Sequence, residues 1–186
     1  MWQVREARTL GMLECQAGRG YTFFMKRLAA IVLITIAVGL GDGPVNGLQA
    51  QAAGRLAVFG KGTVSIVSDD QSHKFRVDLA LTHHQQMQGL MFRRNMPADA
   101  GMLFVYKQEA PVAMWMKNTY LPLDMLFIAR GGMILKIAER TVPLSEATIA
   151  SGRAVIAVLE LNAGTASRLG IKPGDTVKAA ALGNAR

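Results

Sequence analysis

The chain has 186 residues, of which 51% are hydrophobic and 18% are charged. These proportions are typical of a folded protein and exclude a disordered chain for the main body. The length predicts one domain with additional segments.

The first 52 residues have the layout of an export signal. Met25-Lys26-Arg27 precedes the uncharged apolar run Leu28–Leu40, and Ala50-Gln51-Ala52 follows as an A-x-A cleavage pattern. The apolar run is shorter than the roughly 20 residues that span a bilayer, so residues 25–52 are predicted to be a signal peptide. The long spacer after the run leaves an uncleaved N-terminal anchor as the alternative. Residues 1–24 are interpreted as a gene-model extension.

These features predict an exported protein, periplasmic or extracellular, that contacts the membrane only through this N-terminal segment. Cys15 is the only cysteine and lies in the extension. The remaining chain is therefore predicted to have no disulfide and no thiolate metal site. His83 and His84 are adjacent, which is a poor chelating geometry, and the paired methionines are interpreted as core residues rather than copper ligands. The sequence predicts no metal and no cofactor.

From residue 53 onward, 16 Lys and Arg stand against 10 Asp and Glu, a net charge of +6. The basic residues are scattered, and Arg93-Arg94 is their only adjacent pair. Nucleic-acid-binding proteins cluster such residues on one face, so we expect no nucleic-acid partner. The charge is compatible with a small anionic ligand.

The pattern of apolar and polar residues along the chain predicts mainly strands. Thr63–Val67 and His73–Leu81 alternate apolar and polar residues and form a predicted hairpin. Thr82-x-x-Gln85 fits a capping box at the start of a short helix over residues 83–89. Further strands are predicted at Gly101–Tyr106, Val112–Met116, Leu123–Ala129, Met133–Ile137, Ala154–Leu161 and Thr176–Ala180. A second helix is predicted over Asn162–Leu169, with Asn162 as its N-cap.

The predicted fold class is β-rich α+β. Residues 53–186 form a single compact domain with its core at about 64–178. The architecture is an open barrel or a curved, mostly antiparallel sheet of about seven or eight short strands with two short helices.

Several ordered motifs carry a family resemblance. They are Gly89-Leu90-Met91 with Arg93, Gly101–Phe104, Trp115–Thr119, Leu123-Asp124, Val158–Glu160, Gly164 and Gly170–Asp175. Together they resemble the family called domain of unknown function 192, DUF192, over roughly residues 64–178. The resemblance implies a small, exported, β-rich protein, and it implies no particular reaction.

The segment Trp115–Asp124 is the strongest candidate site, because it places polar groups between two apolar strands. In one interpretation Trp115 is the wall of a cleft, Lys117 binds an anion, Asn118 orients a hydroxyl or amide, and Asp124 accepts a proton. In the other, Asn118 secures a tight turn and Asp124 pairs with Lys117. Both interpretations remain open from the sequence.

Arg93 and Glu160 complete the candidate ligand-binding set. A guanidinium matches a carboxylate or phosphate, so Arg93 could hold an anionic ligand or pair with Glu160. The sequence identifies no catalytic residue, and it favours a binding domain over an enzyme.

The preferred hypothesis is an exported domain that binds a small polar or anionic ligand in a cleft near Trp115–Asp124. The first alternative is an acid–base hydrolase or lyase that uses Asp124 or Glu160. The second is an accessory protein of the cell envelope that binds another protein.

Overall fold

The computed structural model of the protein describes residues 56–69 and 71–185. The predicted extension, the signal or anchor segment and Cys15 lie outside the described residues. Neither of the two short α-helices in the described part is long and apolar enough to cross a membrane.

Seven strands form one sheet that curls into a half-barrel, which confirms the predicted fold class. The strands are β1 (Gly60–Ser68), β2 (Gln71–Ala80), β3 (Ala100–Met114), β4 (Leu123–Ile128), β5 (Ile134–Ala138), β6 (Ile149–Asn162) and β7 (Thr176–Ala179). Their order across the sheet is β5-β4-β6-β3-β2-β1-β7. Among the described strands, β2 and β3 are the only pair that runs parallel. The helices are α1 (His83–Gln88) and α2 (Thr165–Leu169), and a 3-10 helix follows at Ala180–Leu182.

Local sequence signals account for the hairpins and for α1. β1 pairs antiparallel with β2, as their alternating residues predict, and β4 pairs antiparallel with β5 across the turn at Gly131 and Gly132. The capping box of α1 is confirmed. The Gln85 backbone N–H donates to Thr82 Oγ1 at 3.3 Å, and the Thr82 N–H donates to Gln85 Oε1 at 3.0 Å.

Two sequence predictions are wrong. Gly101–Tyr106 and the first three residues of Val112–Met116 are not separate strands but lie along one strand, β3, which ends at Met114. Its pairing with β6 shifts register between Val105 and Ala110. Asn162 ends β6 rather than capping a helix, because α2 begins later, with Gly164 as its N-cap. The Asn162 side chain instead donates to the carbonyls of Met96 and Pro97, at 3.1 and 3.0 Å.

Apolar residues fill both faces of the sheet. The inner cluster draws a residue from every strand, which places it on the concave side; it includes Val64, Phe75, Leu103, Leu126, Ile134, Leu159 and Val177. The outer cluster lies on the opposite face beneath the turn that follows α1, and its buried members include Leu90, Met102, Phe104, Met116, Met125, Phe127 and Val158. The sheet is therefore the middle layer of the domain.

The two edge strands meet at one end of the half-barrel. Met133 bridges Thr176, and the Val177 N–H donates to the Gly132 carbonyl at 2.8 Å. Asn184 strengthens this junction by donating to the carbonyls of Gly131 and Val177. A Cβ on Gly132 would lie 2.3 Å from the Val177 oxygen, so the close approach of the two edges requires glycine there.

Gly101 on β3 has the same role inside the sheet. We expect Gly101→Ala to lower the free energy of unfolding by about 3 kcal/mol, because its Cβ would lie 2.5 Å from the backbone oxygen of Glu160 on β6. Gly60→Ala is the matched control, since its Cβ would meet only a Leu79 methyl group at 4.0 Å. Urea unfolding measures both. Equal stability of the two variants would contradict this account of the β3–β6 contact.

Candidate functional site

Glu160 is a buried carboxyl in an apolar layer. It lies on β6, and its cross-strand neighbours are Met102 on β3 and Met125 on β4, both fully buried. Only 4% of Glu160 is exposed. Within the described part of the chain, no donor forms a hydrogen bond or ion pair with its carboxyl group.

The Glu160 side chain reaches a cavity of about 420 Å³, which we call the Glu160 pocket. Its walls come from α1 with the turn after it, and from β3 with the residue that follows β3. They include Gln86, Leu90, Met91, Phe104, Tyr106, Met114 and Trp115. None of the described residues that line it is a lysine or an arginine. The pocket therefore combines mainly apolar and aromatic walls with several polar side chains, among them Gln86 and Thr119, and one carboxyl.

Burial controls ionisation in this pocket. It raises the pKa of Glu160 to about 8, because removal from water disfavours the carboxylate and none of the described residues donates a hydrogen bond to it. Burial also raises the pKa of Tyr106, and the nearby charge of Glu160 adds to the effect. Near neutral pH, Glu160 is therefore mostly protonated and Tyr106 is a neutral phenol.

The helix α1 fastens one wall of the pocket to the sheet. The Gln86 side chain donates to the Val105 carbonyl at 2.8 Å and to the Ala80 carbonyl at 3.3 Å. Gly89 then ends the helix at φ +51°, where an added Cβ would lie 3.1 Å from the Phe104 ring. Helix, turn and strand are thus in close contact along this wall.

Three loops with strained backbones meet beside the pocket mouth. Phe92, Asn118 and Leu144 all have left-handed backbones, with φ of +65°, +52° and +62°. The Phe92 N–H donates to the Asn118 carbonyl at 2.9 Å, and the Leu144 N–H donates to the Thr119 carbonyl at 3.1 Å. Such conformations are uncommon outside glycine and occur often at functional sites.

Trp115 and Lys117 lie at this surface. Trp115 lines the pocket and is 44% exposed, and Lys117 Nζ lies 5.3 Å from the centroid of its ring. Lys117 Nζ is also 3.6 Å from Glu146 Oε2, so it pairs with Glu146 and not with Asp124. The Asn118 side chain contacts Met91 Sδ at 3.9 Å, and its backbone forms the turn that the second interpretation of this segment anticipated.

Asp124 is part of the scaffold. It is fully buried and accepts hydrogen bonds from the backbone N–H groups of Arg140, Gly164 and Ala166 at 2.9 to 3.0 Å. Two of these donors belong to the beginning of α2, so Asp124 supplies the capping oxygens predicted for Asn162. Three backbone donors occupy its oxygens and it lines neither described pocket, so the described residues give no support to the hypothesis that Asp124 is a general base.

Arg93 lies at a second cavity, of about 560 Å³, and pairs with Asp78 at 2.6 Å rather than with Glu160. Lys61 binds the other oxygen of the same carboxylate. Burial acts to raise the pKa of Asp78, but the hydrogen bonds from Lys61 and Arg93 hold it below its usual value. This buried carboxylate is therefore fully paired.

Of the predicted site residues, the structure brings only Trp115 and Glu160 to the same pocket, with Asn118 behind its wall. Lys117 lies beside Trp115, whereas Arg93 and Asp124 lie elsewhere. Tyr106 and Gln86 were missed because each follows an ordinary strand or helix pattern in the sequence. No group of three or more His, Cys, Asp or Glu side chains in the described ranges is arranged to hold a metal ion.

The sequence model of DUF192, a family described as "Uncharacterized ACR", matches residues 64–179. Two solved structures are similar to this chain. One is a Sinorhizobium meliloti protein described provisionally as a transcription regulator, and it is 51% identical to this chain. The match covers 67% of this chain and 98% of the other, with a TM-score of 0.66. The second is a protein of unknown function from Novosphingobium aromaticivorans, 34% identical, with 76% and 94% coverage and a TM-score of 0.63. No curated protein matches this chain.

Asp124→Ala tests the scaffold role of Asp124. We expect the free energy of unfolding to fall by about 3 kcal/mol, because three backbone N–H groups, that of Ala166 buried and those of Arg140 and Gly164 partly buried, lose their acceptor. Asp99→Ala is the control, since it removes an exposed carboxylate that pairs with Arg76, and it should change stability by less than about 1 kcal/mol. Chemical unfolding of both variants provides the measurement. A small loss for Asp124→Ala would show that these bonds contribute little.

Glu160→Gln tests the ionisation of Glu160. In the unfolded chain Glu160 ionises near pH 4.5, whereas in the folded protein it keeps its proton to about pH 8. The folded state binds more protons between these values, so the unfolding free energy of the wild type should fall relative to the variant as pH rises through this interval. The total fall should be on the order of 3–5 kcal/mol, at about 1.4 kcal/mol per pH unit. Urea unfolding at pH 5, 7 and 9 measures it. Parallel pH profiles would be incompatible with a buried, protonated Glu160.

Proposed function

This chain belongs to the DUF192 family, and we propose that its domain binds a small, largely apolar molecule in the Glu160 pocket, where the Glu160 carboxyl holds the one polar group of the ligand. The observation that carries this proposal is the carboxyl itself. It is buried, it faces a cavity, and it has no protein partner among the described residues.

The fold gives no reason for a carboxyl at this position. Burying a polar group without a hydrogen bond costs on the order of 1–3 kcal/mol in proteins, and burying a charge costs more. An apolar side chain between Met102 and Met125 would extend the outer cluster at no such cost. A destabilising group in a pocket, with a strongly shifted pKa, is a physical indication of a functional site.

The size and walls of the pocket define the class of ligand. A volume of about 420 Å³ lies within the range of small-molecule sites. The side chains of Phe104, Tyr106 and Trp115 provide flat apolar surface, and the flexible side chains of Met91 and Met114 can adapt to a ligand. With no lysine or arginine in its walls, the pocket favours an uncharged or cationic ligand. The proposed site is therefore still the cleft beside Trp115, but the expected ligand is uncharged or cationic rather than anionic.

We place this binding function in the exported compartment. The support is the sequence pattern of residues 25–52, which fits a signal peptide or an N-terminal anchor. DNA binding receives no support from the described basic side chains, because many of them are already paired. Lys61 and Arg93 bind Asp78, and Arg76 binds Asp99.

Acid–base catalysis by Glu160 is the second candidate function. A pKa of about 8 suits a group that exchanges protons near neutral pH, and Glu160 faces a cavity. Asp124 accepts three backbone hydrogen bonds and does not line the Glu160 pocket, so Glu160 would act without it. Turnover of an ester or lactone that disappears in Glu160→Gln, while ligand binding persists, would favour this candidate over simple binding.

Three six-carbon probes test the proposed pocket: 1-hexanol, hexylamine and hexanoate. We expect calorimetric titration of the full chain at pH 8 to show saturable binding of at least one probe, with a dissociation constant on the order of 0.1–1 mM. Ala113→Phe should weaken this binding at least about ten-fold, because Ala113 is exposed and lines the pocket, so a larger side chain would occupy it.

Ala154→Phe is the matched control, since Ala154 is also exposed but lies outside the pocket lining. It should leave the affinity of the probes unchanged. Failure of all three probes to bind, or equal effects of the two substitutions, would refute the proposed site.

A further inference from the structure

We propose that the Glu160 pocket selects organic ammonium ions that carry an apolar chain, and that such a ligand binds in exchange for the proton of Glu160. This inference rests on the proposed function and specifies its ligand class. Three features of the structure support it: the surroundings of Glu160, the aromatic wall at the mouth, and the ionisable groups that face the pocket.

The surroundings of Glu160 leave a cation without a competitor. The neighbouring strands present Met102 and Met125 to it. Two residues further along β6, the Asn162 side chain already donates to two carbonyls. An ammonium group that reaches the floor of the pocket would therefore meet an acceptor to which no described residue donates. It would also supply the positive charge that a buried carboxylate lacks.

The mouth of the pocket already attracts a cation in the structure. Lys117 Nζ lies 5.3 Å from the centroid of the Trp115 ring, within the range of a cation–π interaction. Phe104 and Tyr106 add two further aromatic side chains to the pocket lining. Because the negative faces of aromatic rings attract ammonium groups, such walls favour a cation over an anion of the same size.

The ionisable groups that face the pocket come from three elements. Glu160 on β6 lies with Tyr106 on β3 and with His83, an exposed residue at the start of α1. Tyr106 remains neutral over the relevant range because its pKa is raised. Glu160 is thus the acidic group whose proton an entering cation would replace, and Lys117 at the mouth remains paired with Glu146.

The exchange balances in charge and protons. The protonated Glu160 carboxyl releases H⁺ to solvent, and the ammonium ion forms an ion pair with the resulting carboxylate. An alkyl ammonium group stays protonated throughout, as a lysine side chain does. The affinity for the amine should therefore rise with pH until Glu160 is ionised without ligand, near pH 8. Between pH 6 and pH 8 the affinity for the amine should increase roughly 50-fold.

The experiment compares hexylamine, 1-hexanol and hexanoate by calorimetric titration of the full chain at pH 6, 7 and 8. We expect hexylamine to bind at least about ten-fold more tightly than either other probe at pH 8. Titrations at pH 7 in two buffers of different ionisation enthalpy should show release of close to one proton per bound hexylamine and none for 1-hexanol. Because this proton count uses the wild-type chain, it does not depend on any variant folding.

Glu160→Gln supplies the second arm. The variant should lose both the preference for hexylamine and its pH dependence, because a neutral amide cannot form the ion pair. If His83 were the source of the pH dependence, the slope would persist in this variant, and that result would overturn the inference. So would equal binding of hexylamine and 1-hexanol at pH 8, or an absence of proton release. If no probe binds at all, the proposed function fails and this inference fails with it.

Discussion

A carboxylate that is buried away from water needs hydrogen bonds or a cation to replace its hydration. This constraint distinguishes the scaffold of the domain from its candidate site. Four carboxyl side chains are buried in the described part of the chain, on Asp78, Asp124, Glu160 and Asp175. Asp78 binds two cationic side chains, Asp124 binds three backbone N–H groups, and Asp175 accepts the Lys172 N–H at 2.8 Å. Each of these three ties together segments that are distant or that turn sharply. Among the described residues Glu160 has no such partner, so its burial opposes folding rather than supporting it.

The half-barrel explains how such a group can be held beside a cavity. β6 is a central strand, paired with β3 on one side and β4 on the other, so the backbone of Glu160 is fixed in both directions. The close packing at Gly101 keeps β3 against that backbone. Above the outer face, the side chain of Gln86 fastens α1 to the edge of the pocket. The sheet holds Glu160 in place on one side of the cavity, and the hydrogen bonds of Gln86 hold α1 in place on the other.

Much of the fold was predictable from the sequence because its signals are local. Alternation identifies the first hairpin, and Thr82 with Gln85 identifies the start of α1. The continuity of β3 was not predictable, because a register shift separates its two apolar halves. The site was only partly predictable. Trp115 and Glu160 could be selected from their side-chain chemistry. The hydrogen bonds of Asp124 could not be predicted, because their donors lie 16 to 42 positions away in the sequence. The burial of Asp78 could not be predicted either, because it lies on the polar side of an alternating strand that tertiary packing buries.

The protonation state of Glu160 is the central claim, and it can be observed directly. Selective ¹³C labelling of glutamate side chains, with Glu160→Gln to assign the resonance, allows NMR to follow the Glu160 carboxyl carbon from pH 4 to pH 9. The account predicts a carboxyl that stays protonated at pH 7 and titrates with a pKa of about 8. A Glu160 that titrates in the ordinary range of glutamate, near 4.5, would show that the carboxyl is solvated or paired and would contradict the account.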